Sequence, residues 1–268
     1  MTATPIPRSL SLAIYGDLEL SILNEKPAGR LPIQTELIVK TKEAEMYQKI
    51  KDEFAAGHQA FIVCPLIDPS DALGVASVKE TFKKLSSGQL KNYQLGLLHG
   101  QMKSEEKEKV MADFVNKKLD VLVSTTVIEV GVDIPNATVM IIFGAERFGL
   151  AQLHQLRGRV GRSDFPSYCF LCSENPDAQN KRRLQAVVKS NDGFYLAEED
   201  LKIRGAGNAF GLAQSGLPDL RFATLADADL MKKTREWAHR ILENDSDLKN
   251  HPLVKEKIQV SFEKVHLE

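Results

Sequence analysis

Tyr93-Gln-Leu-Gly-Leu-Leu98, Ser104-Glu-Glu-Lys-Glu-Lys-Val-Met-Ala-Asp-Phe-Val115 and Leu119-Asp-Val-Leu-Val-Ser124 follow one another and read as strand, helix, strand. The outer two are short apolar runs of the length a buried strand takes, and the middle run spaces its apolar residues at helical intervals. A helix between two such strands is the crossover that a parallel pair requires. The same alternation extends outward. Upstream, Glu36–Lys40 reads as strand, Ala44–Phe54 as helix, Ala60–Ile67 as strand closed by Asp68-Pro-Ser-Asp71, and Val75–Leu85 as helix. Downstream, Thr138–Phe143 reads as strand, Leu150–Arg157 as helix and Ser167–Cys172 as strand. The pattern predicts an α/β fold with a parallel sheet flanked by helices, built from right-handed βαβ units.

After Ser173 the strand signals fade. Gln179–Lys189, Ala197–Ile203 and Leu225–Leu242 look helical, and Arg204–Pro218 is a Gly-rich loop. At the other end, Thr2-Ala-Thr-Pro-Ile-Pro7 carries two prolines and cannot lie inside a helix, and Ser21–Pro32 has the Pro, Gly and charge of a linker. Three parts are therefore expected: residues 1–29 as a remnant and linker, 30–190 as the sheet domain, and 191–268 as a smaller, mainly helical region.

Composition narrows the class. With 43% hydrophobic and 26% charged residues in 268, the chain is an ordinary folded protein rather than a disordered one. A net charge of −1 means that any nucleic-acid contact must come from local patches and not from a bulk field. No apolar run approaches the roughly 18 residues of a membrane span, and the opening lacks the order of a signal peptide, so a cytoplasmic location is expected. Cys169 and Cys172 form a CxxC, but on a strand residues three apart point to opposite faces, and no second pair completes a four-ligand metal set. No metal site is expected from this chain.

The chemistry concentrates in Gln155-Leu-Arg-Gly-Arg-Val-Gly-Arg162, where two arginines three apart are flanked by glycines as a helix gives way to a loop. Guanidinium groups suit forked contacts with phosphate oxygens, and glycines allow close approach to a partner. Composition alone leaves two uses open: a nucleic-acid patch or a nucleotide contact. Ser124-Thr-Thr-Val-Ile-Glu-Val-Gly-Val-Asp-Ile-Pro135 follows a buried strand, where parallel sheets place ligand loops. Its Thr126 and Glu129 also have the spacing of a plain helix-capping box.

The QxxGRxGR spacing resembles motif VI of superfamily 2 helicases, and residues 124–135 resemble motif V. Val63-Cys-Pro-Leu66 is similar to the motif IV region, Leu98-His-Gly-Gln101 to the segment after it, and Thr2-Ala-Thr4 to motif III. The resemblance implies a RecA-like domain with Arg159 and Arg162 as arginine fingers toward ATP on a facing domain. It implies Gly131, Asp133 and Gln155 near the nucleotide, and Thr2, Thr4, Thr125 and Thr126 in DNA contact or domain coupling. His99 stands open as a lone surface histidine or a site residue.

Asn191-Asp-Gly-Phe, Asp200-Leu-Lys-Ile-Arg-Gly-Ala-Gly207 and Gly211-Leu-Ala-Gln-Ser-Gly216 resemble the TRG segment shared by the RecG and Mfd translocases of double-stranded DNA. Tyr15-Gly-Asp-Leu-Glu-Leu-Ser21, Pro27-Ala-Gly-Arg30 and Ser215-Gly-Leu-Pro-Asp219 favour RecG over Mfd. There Arg183, Arg204 and Gln214 match positions that couple domain closure to movement on DNA. Read from the residues alone, Lys181-Arg-Arg183 is a solvated helix face and Arg204 an ordinary helix-end charge. A Gly-Lys dipeptide, required by a phosphate loop, occurs nowhere, and Asp52-Glu53-Phe54-Ala55 lies in a helical pattern rather than after a buried strand as a DExH box would.

The expectation is the second half of a motor that remodels branched double-stranded DNA. ATP and Mg2+ would be held mainly by a first motor domain, with a wedge domain also in cis, and the chain by itself would be inactive as an ATPase. The rival reading is a non-catalytic nucleic-acid or protein-binding adaptor.

Overall fold

The computed structural model describes residues 30–65, 72–126, 133–173, 177–204 and 228–265. Thr2, Thr4, the turn Asp68–Asp71, Gly131, Gln214 and most of the Gly-rich loop lie outside them, and of Arg204 only the backbone is described.

Among the described residues, six strands form one sheet: β1 (Gln34–Ile38), β2 (Gln59–Val63), β3 (Leu95–Leu98), β4 (Val121–Ser124), β5 (Ala137–Ile142) and β6 (Tyr168–Cys172). Their order across the sheet is β1-β6-β5-β2-β4-β3, and every neighbouring pair is parallel. The predicted α/β parallel sheet is the observed fold. Helices α1 (Glu43–Ala55), α2 (Ala72–Ser87), α3 (Ser104–Val115) and α4 (Leu150–Arg157) connect strands, and α5 (Ala178–Lys189) follows the last. Strands β2, β4 and β5 are buried throughout, which is why each reads as an unbroken apolar run. Edge strand β1 is exposed or half-buried except at Ile38, which explains its Gln, Thr and Glu.

The registers align the strand ends. Leu98, Ser124, Val63, Ile142 and Leu171 come level at one end of the sheet, and Leu95, Val121, Ala60, Val139 and Tyr168 near the other. Strand β2 stops at Val63, four residues short of the sequence-based limit. Pro65 lies just beyond and has no N–H for the ladder. Below the sheet, Met46, Ile50, Ile62, Val78, Leu90, Val123 and Ile141 belong to one apolar core.

The chain divides after Leu196 into two compact units. Helix α6 (Gly193–Arg204) runs across that division, and α7 (Ala228–Asn244) and α8 (Pro252–Val265) complete the second unit. Helix α8 has no counterpart among the sequence-predicted elements. Its signal is Pro252 at the first helical position, where the ring's fixed φ favours a start. In the turn before it, Asp245 accepts from the backbone N–H groups of Lys249 and Asn250 at 2.8 and 2.7 Å and pairs with His251 Nδ1 at 3.0 Å. No helix among the described residues is long and apolar enough to cross a membrane.

Candidate nucleotide-facing site

Helix α4 positions the Gly-Arg turn. Leu150, Leu153, Leu156 and Arg157 are its buried residues, so the helix lies against the domain and delivers its C-terminus to a fixed place. It ends at Gly158, whose N–H donates to the His154 carbonyl at 3.0 Å, and two tighter turns follow as Arg159 N donates to Leu156 O and Val160 N to Arg157 O. Gly161 then has φ +71°, and a Cβ there would lie 2.8 Å from Ile33 Cγ1. Both the left-handed backbone and the close approach demand glycine.

The next residue, Arg162, is held from two sides. Its Nε donates to the Gly158 carbonyl at 3.1 Å and its Nη1 to Asp133 Oδ1 at 2.9 Å. The Arg162 side chain keeps 21% exposure and the Asp133 side chain 65%, so this pair lies at a rim. Such an exposed pair is worth only about 0.2–1 kcal/mol, weak enough to exchange one partner for another. Arg159 and Gln155 beside it are half-buried.

Sequence analysis singled out the second and third arginines of the segment and passed over the first. Arg157 is only 2% exposed. Its Nη1 donates to the carbonyls of Val187 and Ser190 at 2.7 and 2.9 Å, and its Nη2 lies 2.9 Å from His154 Nδ1. Burial lowers its pKa, with the Cys169 sulfur acting in the opposite sense. The guanidinium therefore ties the root of the turn to the carbonyl end of α5, where a cation is favoured. Arg183 ties the same helix to the start of α4 by donating from Nη2 to the Phe148 carbonyl and from Nη1 to Asn180 Oδ1 at 2.9 Å. Lys181 and Arg182 are exposed, but Arg183 is turned inward, so the solvated-face reading fails for that residue.

Residues 124–135 divide between the two ends of the sheet. Thr125 and Thr126 stand at the C-terminal end of β4 beside His99, whereas Asp133 precedes β5 at the opposite end and meets Arg162. The capping partner Glu129 lies outside the described residues, as does Gly131. Thr125 is fully buried, and His99 is only 7% exposed, which removes the reading of a surface histidine. His99 Nδ1, Ser124 Oγ and Thr125 Oγ1 are all buried and have no hydrogen-bond partner among the described residues. The pKa of His99 is lowered by burial first and then by the charges of Lys79 and Lys107, against Glu106.

The CxxC is part of the packing. Cys169 is buried beside Arg157, Cys172 packs its sulfur 3.7 Å from Met46 Sδ, and burial pushes both thiols up to about 12. Glu53 of the near-DExH string lies on α1, pairs with His58 Nδ1 at 2.7 Å and accepts from Thr138 Oγ1 at 2.7 Å.

Comparison with known proteins places these features. Residues 41–164 match the family described as helicase conserved C-terminal domain. Residues 190–258 match ATP-dependent DNA helicase RecG, domain 3, C-terminal. The sheet and its Gly-Arg turn are thus those of a RecA-like helicase C-terminal domain. The chain is 47% identical over 266 residues, 99% of its length, to the ATP-dependent DNA helicase RecG of Synechocystis sp., and covers 32% of that protein. It is 48% identical over 242 residues to RecG of Thermotoga maritima, covering 90% of the chain and 31% of the relative. A solved structure of RecG bound to a three-way DNA junction matches with a TM-score of 0.68 and 45% identity, over 88% of this chain and 30% of that one. The chain belongs to the RecG family of ATP-dependent DNA helicases and corresponds to its C-terminal part, about a third of the length of the curated relatives it matches.

Proposed function

We propose that the chain is the second motor domain of an ATP-driven translocase on double-stranded DNA that remodels branched substrates such as stalled forks and Holliday junctions. The observation that carries this is the turn Gly158–Arg162, with a glycine that no other residue replaces without strain and an arginine paired weakly at a rim. The turn suits phosphate oxygens. Arg162 can leave Asp133 for a stronger charge, and Arg159 stands three residues before it on the same turn. In this reading both stabilise charge on a transferring phosphoryl group, and Asp133 and Gln155 orient the nucleotide with Gly131. ATP supplies the phosphoryl group and Mg2+ neutralises its oxygens, both held mainly by a first motor domain that carries the phosphate loop and DExH box.

Thr125 and Thr126, at the other end of the sheet, are assigned to the DNA backbone, where hydroxyl contacts position a strand without reading it. The Thr125 hydroxyl has no hydrogen-bond partner among the described residues. Residues 1–29 with Thr2 and Thr4, 30–190 and 191–268 are assigned as coupling remnant, motor domain and TRG region. Arg183, Arg204 and Gln214 are assigned to coupling between the last two. The match of residues 190–258 to RecG domain 3 favours RecG-like over Mfd-like activity. The expected partners are branched DNA and, in cis, a first motor domain and a wedge domain.

The test joins the chain to a RecG first motor domain and measures DNA-stimulated ATP turnover. Arg159→Ala or Arg162→Ala should lower kcat by about 10³-fold or more while DNA affinity holds. An equal loss of DNA affinity would move both arginines to the DNA surface and sink the proposal.

A further inference from the structure

The Gly-Arg turn is held to the chain beyond α5 by two separate ties that end on neighbouring residues. The first is the buried Arg157, whose Nη1 donates to the carbonyls of Val187 and Ser190 at 2.7 and 2.9 Å. The second runs through Ile33. Its side chain lies so close to Gly161 that an added Cβ would meet Ile33 Cγ1 at 2.8 Å, and its carbonyl accepts from Asn191 Nδ2 at 3.4 Å. Ile33 is steadied in turn by the next residue, since the Gln34 N–H donates to the Ser167 carbonyl at 2.9 Å where β1 joins the sheet. Arg157 stands before the turn and Gly161 within it, yet the two paths meet at Ser190 and Asn191.

The bonds continue past Asn191. Ser190 Oγ accepts from the Asp192 N–H at 3.0 Å, and Asp192 Oδ1 accepts from the Phe194 N–H at 2.9 Å. Asp192 thereby caps the first turn of α6, where N–H groups lack partners within the helix. Its carbonyl takes the Leu196 N–H at 3.1 Å. Residues 190–192 belong to no helix or strand, so these bonds set where α6 begins. A planar guanidinium that engages several acceptors fixes direction as well as distance. Hinges between packed elements are commonly a few loop or element-terminal residues of this kind.

We infer that Ser190–Asp192 is a joint through which the arginine turn moves the start of α6, with Arg157 and Asn191 as its positioning residues. When a nucleotide draws Arg162 from Asp133 the turn shifts, and both ties carry the shift to the cap of α6, from which the chain runs on to Arg204. This rests on the reading of Arg159 and Arg162 as nucleotide contacts and deepens it. The route is distinct from Arg183, which holds α5 to the start of α4. Arg157 and Asn191 act through the turn and the cap, and neither touches nucleotide or DNA.

The test uses a full-length RecG carrying this chain as its C-terminal part. It reads the kcat of DNA-stimulated ATP hydrolysis and the number of ATP molecules consumed per base pair of fork unwound. The second quantity is a ratio, so a smaller folded fraction cancels from it and a merely structural defect leaves it unmoved. Asn191→Ala removes one half-buried side-chain bond and should raise the ratio several-fold, with kcat within about twofold of the parent. Arg157→Lys keeps the charge, loses the fork and should raise the ratio further, on the order of tenfold. A ratio at the parent value in both variants would overturn the inference, even if both rates had fallen together. Arg162→Ala separates this from the reading beneath it. If that variant depresses kcat while the two ratios stay at the parent value, only the joint falls; if it leaves kcat unchanged, the nucleotide assignment itself falls.

Discussion

Arg157, Arg159 and Arg162 occupy one short segment and do three different things. Arg157 is enclosed among carbonyls, Arg159 is half-buried beside the turn, and Arg162 sits at a rim beside an exposed carboxylate. Replacing Arg157 with Met should leave the Val187 and Ser190 carbonyls without their donor and destabilise the fold by roughly 2–3 kcal/mol, read as a lowered Tm. Lysine should not restore it, since one ammonium cannot reach two carbonyls and an imidazole as a planar fork does. A variant Tm equal to that of the parent chain would show that water replaces the guanidinium at no cost. Gly161→Ala should cost on the order of 1–3 kcal/mol from its left-handed backbone alone, before the Ile33 contact is counted. Asn at the same position should be the mildest substitution by φ, and thermal melts of the two variants would check the order.

At the scale of elements, the end of β3 and β4 should give the chain a pH dependence. The His99 pKa is depressed in the folded state, so the unfolded chain takes up a proton first. The stability held by neutral His99 is complete above the ordinary histidine pKa of about 6.5 and is lost as pH falls below it. Tm should therefore decline on acidification from pH 7 to 5.5, and His99→Gln should flatten that part of the profile. The charged groups acting on His99 are Lys79 on α2 and Lys107 and Glu106 on α3. An unchanged slope in the variant would place the acid sensitivity elsewhere.

For the molecule as a whole, the Gly-Arg turn and the threonines of residues 124–135 lie at opposite ends of one sheet, spanned by the central buried strands. One end, on the proposed reading, senses a nucleotide and the other holds a strand. On the proposed reading, the chain alone should show no ATP turnover above background, with or without DNA; turnover abolished by Arg162→Ala would overturn it. In the two-domain protein, Arg204→Ala or Gln214→Ala should leave ATPase activity and remove most fork unwinding. A proportional fall in both would deny them a coupling role.

Periodicity and turn chemistry were enough to locate α3 and α4 to the residue and the six strands to within a few residues, because the central strands are buried on both faces and their apolar runs are unbroken. The spacing of glycines and arginines was equally legible, since a left-handed glycine and a helix end are local demands. Three things were not legible. Arg157 finds its carbonyls 30 residues or more downstream, Asp133 meets Arg162 across 29, and Phe165 meets His58 across more than a hundred. No window of sequence contains both partners. By itself the sequence determined the parallel sheet and the turn that carries the arginines; only tertiary packing decided which arginine is enclosed, which is offered at a rim, and what lies beside it. Burial is a property of the neighbours that the fold brings together, and those neighbours are remote along the chain.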